Sequence, residues 1–342
     1  MNEKISIKDI ANRVGTSTTT VSFVLNGKAE EKHISANITA KVLSVVAELG
    51  YQPNSIARSL RTGKSKIIGF LVDDISKPFF SNIAGVIDQA ASAQGYKIIF
   101  SSTGSDKKRI KEILSMFKER SVDGYIIATA EGLEEEIGAL VNSGTPVVLF
   151  DRYLPNIKSD YILTNNHGAT FDATTHLIEN GYENIAFVTI KTVQKQMLER
   201  LNGYTEALQK NGKKPQVLEI NYQNSEQATL AIQKFLEAHK ELDAVIFASN
   251  YLTMDGLKLS RFGKEKLLSG LAIVSFDDFE LLEFIKPSIT AIQQPIQELG
   301  EKVVKQLLKR LKADTNDTER ETFNIDASLC IRQSTQKNTV RN

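Results

Sequence analysis

Short apolar runs alternate with amphipathic segments along residues 66–342, and this alternation constrains the fold more than any other feature of the chain. The runs predict buried strands, and the segments between them, such as Phe80 to Ala93 and Lys107 to Glu119, predict helices. Strands and helices that alternate in this way form parallel sheets with right-handed crossovers. Two sets of runs predict two Rossmann-like lobes with a ligand cleft at the carboxyl ends of the strands. The runs occupy residues 67–72, 97–100, 124–128 and 146–150, then 185–188, 217–220, 244–248 and 271–276.

Catalytic and cofactor motifs are missing from these segments. No glycine-rich phosphate loop follows a strand, and no motif suggests a nucleophile with its base. Asp277 and Asp278 could be a carboxylate pair, but adjacent side chains need not converge. The four histidines lack metal-ligand spacing, and the single Cys330 cannot form an internal disulfide. We therefore expect a protein that is not an enzyme and that carries no metal or other cofactor.

The chain lacks the sequence signals of secretion or membrane insertion. Its first residues, MNEKISIKD, contain no apolar run like that of a signal peptide. No stretch approaches the ~18 uninterrupted apolar residues of a membrane-spanning helix. A single cysteine also fits a reducing compartment. The sequence therefore predicts a soluble cytoplasmic protein with no membrane partner.

A different pattern occupies residues 5–50 and predicts three short helices. Ser6 can cap the first helix with Asp9 as its capping-box partner, and Gly15 allows a tight turn after it. Ser17 can cap the second helix. The first helix lies in ISIKDIANRVG, and the second lies in TSTTTVSFVLN, which follows it directly. A third helix is expected from about Ser35 to Gly50.

The second helix is polar on one face, which is typical of a helix-turn-helix that inserts this helix into the DNA major groove. Residues 1–66 also contain ten Lys and Arg against five Asp and Glu, so this segment has a net charge of +5 and the rest of the chain one of −4. A basic segment of this kind suits a surface that binds DNA phosphates. The alternative is a generic three-helix bundle whose threonines are merely solvated. The candidate DNA-binding residues of this segment are Ser17, Thr18, Thr19, Thr20, Ser22, Phe23 and Asn26.

The segment after the third helix, NSIARSLRTGKSK, is short and basic. Asn54 can cap a helix of about six residues, which is too short to be stable alone in water. Such a segment can order on a partner, and Leu60 among cations suits a wedge in a DNA minor groove. The alternative is a flexible basic linker.

These two segments together, IKDIANRVGTSTTTVSFVLNG and ELGYQPNSIARSLRTGKS, resemble the LacI type of lactose, galactose and purine repressors. The resemblance implies that Thr18 and Thr19 read bases. It also implies that Phe23 occupies a third base-reading position, where the family usually has Arg or His. A Phe side chain cannot donate a hydrogen bond to guanine, but it can pack on the methyl group of a thymine. The loop GKAEEKHIS is a few residues longer than usual in the family. In the basic segment, the resemblance matches Ala57 and Leu60 to the positions that enter the minor groove, with Leu60 as the intercalating leucine. Asn54 and Arg58 are further candidate DNA-binding residues of this segment.

For the body, the resemblance implies a two-lobe α/β fold like that of periplasmic binding proteins. The matching motifs are DISKPFF, RSVDGYIIA, VVLFDR, ERLNGYTEAL, IVSFDD and PSITAIQQPIQELG. The chain would cross between lobes near Asn165, Gln293 and Asn324. The expected domains are a DNA-binding head at 1–52, a hinge at 53–65 and an effector-binding and dimerisation domain at 66–342. Lobe one would comprise residues 66–165 and 293–324, and lobe two residues 166–292 and 325–342.

Sugar ligands need polar groups that bind adjacent hydroxyls and an aromatic face. Arg200 and Asp277 fall at positions where the family binds its ligand. An isolated Asp is more often a solvated loop residue or a cap, and Phe79 or Phe80 could be core. The family usually has Asn-Asp where this chain has Asn250-Tyr251, which changes the polarity beside the cleft. The candidate ligand-binding residues are Asp74, Phe79, Phe80, Asp151, Arg200, Asn250, Asp277 and Gln294.

The sequence as a whole predicts a sequence-specific repressor whose affinity for a double-stranded, pseudo-palindromic operator is controlled by a small ligand, expected to be a carbohydrate. The polar end STQKNTVRN lacks the leucine heptads of the family's tetramers, so a homodimer is expected. The alternatives are a sugar-binding sensor that does not bind DNA, and an α/β enzyme with a helical extension. Whether the ligand induces or co-represses stays open.

Overall fold

The computed structural model describes residues 5–51, 59, 62–104, 106–128, 132–154, 156–313 and 319–336. The chain divides into two compact units, Met1–Ser65 and Lys66–Asn342. We refer to them as the head and the body, and each is described by itself.

The head is a three-helix unit, as predicted. Its helices are α1 (Ile7–Val14), α2 (Thr18–Leu25) and α3 (Ala36–Leu49). They pack around a small apolar core, because each helix buries one stripe of its surface. The buried side chains of this core are Ile10, Ala11, Val21, Val24 and Val42.

A serine side chain caps the N-terminus of each of the three helices, which confirms the caps predicted at Ser6 and Ser17. Ser6 and Asp9 form a reciprocal capping box: Asp9 Oδ2 accepts from the Ser6 amide at 2.8 Å, and the Asp9 amide donates back to Ser6 Oγ at 3.3 Å. Ser17 and Ser35 cap α2 and α3. Gly15 ends α1 at φ +77°, a left-handed conformation that glycine adopts without strain, so the chain can turn sharply into α2.

The first sheet of the body contains six parallel strands: β1 (Ile67–Val72), β2 (Lys97–Ser102), β3 (Gly124–Ala128), β4 (Val147–Phe150), β5 (Asp160–Thr164) and β11 (Thr322–Ile325). Their order across the sheet is β11-β5-β4-β3-β1-β2. The residues of β1, β3, β4 and β5 are almost all buried, because helices cover both faces of the sheet.

The second sheet contains β6 (Ile185–Ile190), β7 (Gln216–Ile220), β8 (Ala244–Phe247), β9 (Ala272–Phe276), β10 (Thr290–Gln293) and β12 (Ser328–Cys330). Its order is β12-β10-β9-β8-β6-β7, and it is parallel except for β12, which runs antiparallel to β10 at one edge. Both sheets therefore have the doubly wound architecture expected for Rossmann-like lobes.

Helices cover the sheets of the body, and the apolar side chains between the layers form its cores. The first sheet has separate cores on its two faces, one of which includes Phe80 and Leu307 and the other Phe117 and Ile137. The helices are α4 (Pro78–Ala93), α5 (Lys107–Glu119), α6 (Glu134–Asn142), α7 (Asn166–Glu179), α8 (Lys195–Lys210), α9 (Ser225–Ala238), α10 (Asn250–Leu257), α11 (Leu281–Phe284) and α12 (Ile296–Lys312).

The eight strands predicted from apolar runs are present, with ends that differ by at most two residues. The sequence interpretation did not identify β5, β10, β11 and β12. Of these, β11 and β12 are short and partly exposed. Only the last residue of β11 is buried, and no residue of β12 is, so neither strand appears in the sequence as a continuous apolar run.

The chain passes between the two sheets three times. It leaves the first sheet after Thr164, returns after Gln293 and leaves again after Ile325. Side chains connect these crossovers: Asn165 Nδ2 donates to Asp326 Oδ1 at 2.8 Å, and Thr164 Oγ1 donates to Gln294 Oε1 at 2.7 Å. The three crossovers therefore form one hydrogen-bonded hinge.

Among the helices that the structure describes, none is long and apolar enough to cross a membrane.

Candidate functional site

A cavity of about 800 Å³ opens between the two sheets of the body. Residues from both sheets and from the crossovers line it, because the carboxyl ends of parallel strands leave loops free to point into the space between lobes. Seven of the eight predicted ligand-binding residues line this cavity: Phe79, Phe80, Asp151, Arg200, Asn250, Asp277 and Gln294.

Asp277 follows β9 and is held by groups from two neighbouring segments. Its Oδ1 accepts from Gln294 Nε2 at 2.6 Å, and its Oδ2 accepts from the Asn250 amide at 3.4 Å. Gln294 in turn accepts from Thr164 Oγ1, as described above. These contacts fix the orientation of a carboxylate that still faces the cavity, and they connect it to the hinge.

Arg200 lies on α8 and is 5% exposed. Its Nε donates to Asn166 Oδ1 at 2.8 Å, its Nη1 donates to the Ala248 carbonyl at 2.7 Å, and its guanidinium lies 3.4 Å from the ring centroid of Phe276. Burial lowers the pKa of Arg200, and the nearby Asp277 acts against that shift. A guanidinium stays protonated at physiological pH, so Arg200 presents a rigidly held cation to the cavity.

Asp151 follows β4 and supplies the acidic group of the first lobe. Its side chain is 10% exposed, and Arg152 Nε lies 3.7 Å from its Oδ2. Burial raises the pKa of Asp151, and the nearby cations Arg152 and Arg200 oppose the shift. Arg152 Nη2 is also 3.8 Å from Asp73 Oδ2, so this arginine lies between two carboxylates.

Asp151 and Asp277 share an unusual backbone conformation. Their φ angles are +61° and +74°, in the left-handed region that L-residues other than glycine, asparagine and aspartate seldom adopt. Aspartate enters this region more readily than most residues, and both positions directly follow a strand, at the edge of the sheet that faces the cavity.

The aromatic wall of the cavity comes from α4. The rings of Phe79 and Phe80 meet edge to face at 5.2 Å between centroids. Phe80 is 4% exposed and also packs in the core of the first lobe, with its ring 6.3 Å from that of Phe150. Phe79 is half-buried. Phe80 therefore both packs in the core and lines the cavity. Phe79 is more exposed and is the ring that a ligand can contact more readily.

Asp74 differs from the expectation for this site. Its Oδ1 accepts from the Ser76 amide at 3.0 Å and from Ser76 Oγ at 2.7 Å, and these bonds lower its pKa. Asp74 thus closes a local turn and is not among the residues that line the cavity, whereas Asp73 is. The sequence could not separate two adjacent aspartates after one strand, because a shift of one residue reverses the direction of the side chain.

Tyr251, the departure noted in the sequence, lines the cavity beside Asn250. Its ring lies edge to face against Tyr222, with centroids 5.1 Å apart. Burial raises the pKa of Tyr251, so its hydroxyl stays protonated and can both donate and accept. The second lobe therefore offers a ligand two aromatic rings as well as its charged groups.

Besides Asp73, the sequence analysis missed three residues with a clear role at the site. Arg152 stands next to Asp151 in the quoted motif VVLFDR, and its Nε and Nη1 are buried without a hydrogen-bond partner among the described residues. Asn166 orients Arg200, and Tyr222 completes the aromatic pair. The neighbour of Asp151 could have been found from the motif, but Asn166 and Tyr222 lie far in sequence from the residues that they contact.

The candidate DNA-binding face of the head is the outer side of α2. Thr18 and Thr19 are exposed, and Phe23 is half-buried, whereas Val21 and Val24 point into the core. The helix face that the sequence predicts to read DNA is therefore open.

Three other predicted DNA contacts have local roles in the head. Ser17 Oγ accepts from the Thr20 amide at 3.0 Å and lies 2.9 Å from Thr20 Oγ1. Asn26 donates through Nδ2 to the Ser22 carbonyl at 2.6 Å. These side chains cap the two ends of α2, so a contact to DNA would compete with the cap. The predicted contacts at Asn54, Ala57, Arg58 and Leu60 lie outside the described residues.

Within the described ranges, no group of three or more His, Cys, Asp or Glu side chains is arranged to hold a metal ion. The carboxylates of the cavity are instead held by arginine, glutamine and backbone amides. The arrangement can bind a neutral polar ligand through several hydroxyls at once.

Comparison with known proteins agrees with both units. Residues 6–54 match the family described as "Bacterial regulatory proteins, lacI family". Residues 65–333 match "Periplasmic binding proteins and sugar binding domain of LacI family".

The similarity to individual proteins extends over nearly the whole chain. The ribose operon repressor of Haemophilus influenzae is 30% identical over 332 residues, which cover 96% of this chain and 98% of that protein. The repressor PurR of Vibrio campbellii is 28% identical, covering 97% of this chain and 99% of that protein. The crystal structure of the lac repressor dimer bound to operator and the anti-inducer ONPF aligns with a TM-score of 0.84 and 22% identity, over 97% of this chain and 99% of that one, and supports the fold.

Proposed function

The chain belongs to the LacI family of bacterial regulatory proteins, and we propose that it is a transcriptional repressor whose affinity for operator DNA is controlled by a pentose-type sugar bound in the cavity of the body. The observation that carries this proposal is the convergence of charged groups from both lobes. Asp151 comes from the first sheet, Arg200 and Asp277 come from the second lobe, and Gln294 comes from a crossover. A ligand that contacts all of them must bridge the lobes.

The chemistry of the cavity suits a sugar. Carboxylate, guanidinium and amide groups bind vicinal hydroxyls in pairs, and hydrogen bonds to charged groups each contribute about 1.5–3 kcal/mol. Phe79 and Tyr251 provide apolar surface for the carbon face of the ring. Two relatives named ribose operon repressor are 30% identical over almost the whole chain, and D-ribose is therefore the first ligand to test.

The geometry favours binding over catalysis. Asp277 is held by Gln294, whereas Asp278 makes a two-point ion pair with Arg332 at 2.8 Å for each bond. The two adjacent carboxylates therefore have separate partners and do not act as one acid–base pair. Together with membership in a family of regulators, this supports a protein that is not an enzyme.

The head supplies the DNA-binding part of the proposal. The N-terminal residues of a recognition helix contact base edges in the major groove. Thr18 and Thr19 are the N-terminal residues of α2, and both are exposed. We propose that two copies pair through their bodies, where Phe262 and Phe284 are 60% and 73% exposed, and read the two halves of a pseudo-palindromic operator. Residues 53–65, with Leu60, would bind the minor groove at the centre of that operator.

The proposed control acts through the hinge. Asp277 and Gln294 connect the ligand site to Thr164 at the first crossover, so a ligand that changes these contacts changes the angle between the lobes. Coupling energies between two sites in one protein are typically about 1–3 kcal/mol. The sign of the response, induction or co-repression, is an outcome to be measured.

Asp277→Asn tests the cavity, with Asp74→Asn as a matched control of the same chemical change outside it. D-ribose at ~100 times its Kd should stabilise the wild-type body by about 2.7 kcal/mol in a thermal-unfolding assay. Asp277→Asn should weaken D-ribose binding roughly tenfold to a hundredfold by calorimetry, because a charged acceptor is lost. Asp74→Asn should bind D-ribose as the wild type does.

Equal affinities in the wild type and Asp277→Asn would refute the cavity assignment. Stabilisation of the wild type by guanine or hypoxanthine, with no effect of D-ribose, would refute the pentose assignment and leave the cavity in place. Failure of the wild type to bind any duplex in a selection from random DNA would refute the regulatory function itself.

A further inference from the structure

The recognition helix of the head contains no positively charged residue. Its sequence is TTTVSFVL, with neither acidic nor basic side chains. Guanine is read in the major groove chiefly by Arg or Lys donating to O6 and N7, and affinity for DNA depends on cations near the phosphates. A helix of this composition lacks the commonest reader of guanine, and a cation from another segment can supply it.

The loop between α2 and α3 folds back onto the end of that helix. The Lys28 amide donates to the Phe23 carbonyl at 2.9 Å, and the Lys32 amide donates to the Lys28 carbonyl at 3.0 Å. The Ile34 amide then donates to the Ala29 carbonyl at 2.8 Å. The extra length of the loop is therefore an ordered turn with backbone bonds of its own, built directly on the recognition helix.

This turn places a cation over the recognition helix. Lys32 Nζ lies 5.7 Å from the centroid of the Phe23 ring, within the range of a cation–π contact. The Lys32 side chain is 42% exposed, so its ammonium remains accessible. Arg13, by contrast, is ion-paired with Glu48 on α3.

We propose that Lys32 reads a base in the operator, acting with Phe23 as one composite reader. Phe23 packs on a thymine methyl, while Lys32 donates to O6 or N7 of a guanine at the neighbouring base pair. The proposal rests on the proposed DNA-binding function of the head. It accounts for the two departures of this segment together: the loop supplies the donor that residue 23 lacks.

The present partner of Lys32 does not prevent this role. Glu31 Oε1 lies 3.0 Å from Lys32 Nζ, and its side chain is 58% exposed. An exposed ion pair contributes at most about 1 kcal/mol, so the ammonium can exchange Glu31 for a guanine acceptor at little cost. Glu31 also lies 3.9 Å from Lys28 Nζ, which can hold it when Lys32 turns to DNA.

The test is a binding-site selection from a random duplex pool with the full chain as wild type, Lys32→Met and Lys32→Arg. Lys41→Met is the matched control, since Lys41 is an exposed lysine on α3 and the charge change is the same. The wild type should enrich a guanine at one position of each half-site. Lys32→Met should lose that preference and bind the wild-type site about fivefold more weakly or worse, while Lys32→Arg and Lys41→Met should keep the preference.

The outcomes separate this proposal from the function on which it rests. A wild type that selects no site refutes DNA binding by the head. A wild type that selects a site which Lys32→Met also selects with equal affinity refutes only the role of Lys32. A loss for Lys32→Met that is uniform over all sequences, with the salt slope reduced by about one, identifies a phosphate contact and overturns base reading.

Discussion

Asp151 combines a left-handed backbone with a largely buried carboxylate, and this combination makes the body sensitive to pH. Burial raises its pKa, so the folded protein holds this proton more tightly than the unfolded chain does. Stability therefore falls as pH rises from the ordinary pKa, 3.8, towards the raised native pKa, and the loss is complete above it.

Asp151→Asn removes that titration. The free energy of unfolding of Asp151→Asn, minus that of the wild type, should increase as the pH rises from the ordinary pKa of 3.8 towards the raised native pKa. Urea unfolding followed by far-UV circular dichroism measures it, since the chain contains no Trp. Asp74→Asn is the control, because hydrogen bonds from Ser76 lower the pKa of Asp74, and its contribution to stability therefore changes below 3.8 and is nearly constant above it. A relative stability of Asp151→Asn that declines over this range would contradict the prediction.

The sequence predicted individual site residues when they fell inside a motif. Arg200, Asp277 and Gln294 were identified in this way and meet in one cavity. The motif DISKPFF predicts Asp74, whereas Asp73 lines the cavity, because a motif fixes the loop and not the direction of each side chain. Asn166 was missed because its role depends on contact with Arg200, 34 positions away, which no local pattern encodes.

The hinge is the element that connects the ligand groups to the rest of the body. Thr164 ends β5, is buried, and donates to Gln294, whose amide orients Asp277. The chain crosses between the lobes at the residue that follows Thr164. A change in this hydroxyl should therefore alter ligand affinity without any direct contact to the ligand.

Thr164→Val keeps the shape of the side chain and removes the donor. We expect a loss of about 1 kcal/mol in stability and several-fold weaker D-ribose binding, because Gln294 is no longer fixed. Thr174→Val is the matched control: Thr174 is also fully buried, and its hydroxyl donates to the Thr170 carbonyl within α7. Calorimetry should reveal weaker binding only in Thr164→Val; equal D-ribose affinities in both variants would exclude a positioning role.

The strands that could be predicted from the sequence are those whose residues form a continuous apolar run. β1 and β3 were predicted with their observed bounds, since a fully buried parallel strand is a continuous apolar run. β11 was not, because its residues alternate between exposure and partial burial. Its place beside β5 depends on pairing with a segment about 160 residues earlier, which strand propensity cannot specify.

At the scale of the body, one ion pair joins three segments that are distant in sequence. Asp160 begins β5 and is 0% exposed, and it accepts from Arg310 Nε at 2.7 Å and from Arg310 Nη2 at 2.8 Å. Gln306 Nε2 and the Glu321 amide also donate to its Oδ1, at 3.1 and 3.0 Å. The Asp160 carboxylate thus connects α12 and the residue before β11 to the first sheet. Both segments follow the passage of the chain through the second lobe.

Asp160→Asn should therefore destabilise the body by about 3–5 kcal/mol, as expected when a buried arginine loses its partner. Asparagine has one acceptor oxygen for four donors, and its own amide group would face a donor. Urea unfolding measures the change, and Glu206→Gln, which breaks an exposed pair with Lys210, should cost less than about 1 kcal/mol. If the two variants lost equal stability, the buried pair would not be what holds the discontinuous first lobe together. If Asp160→Asn lost several kcal/mol while retaining D-ribose binding in the folded state, this pair would stabilise the lobe independently of the ligand site.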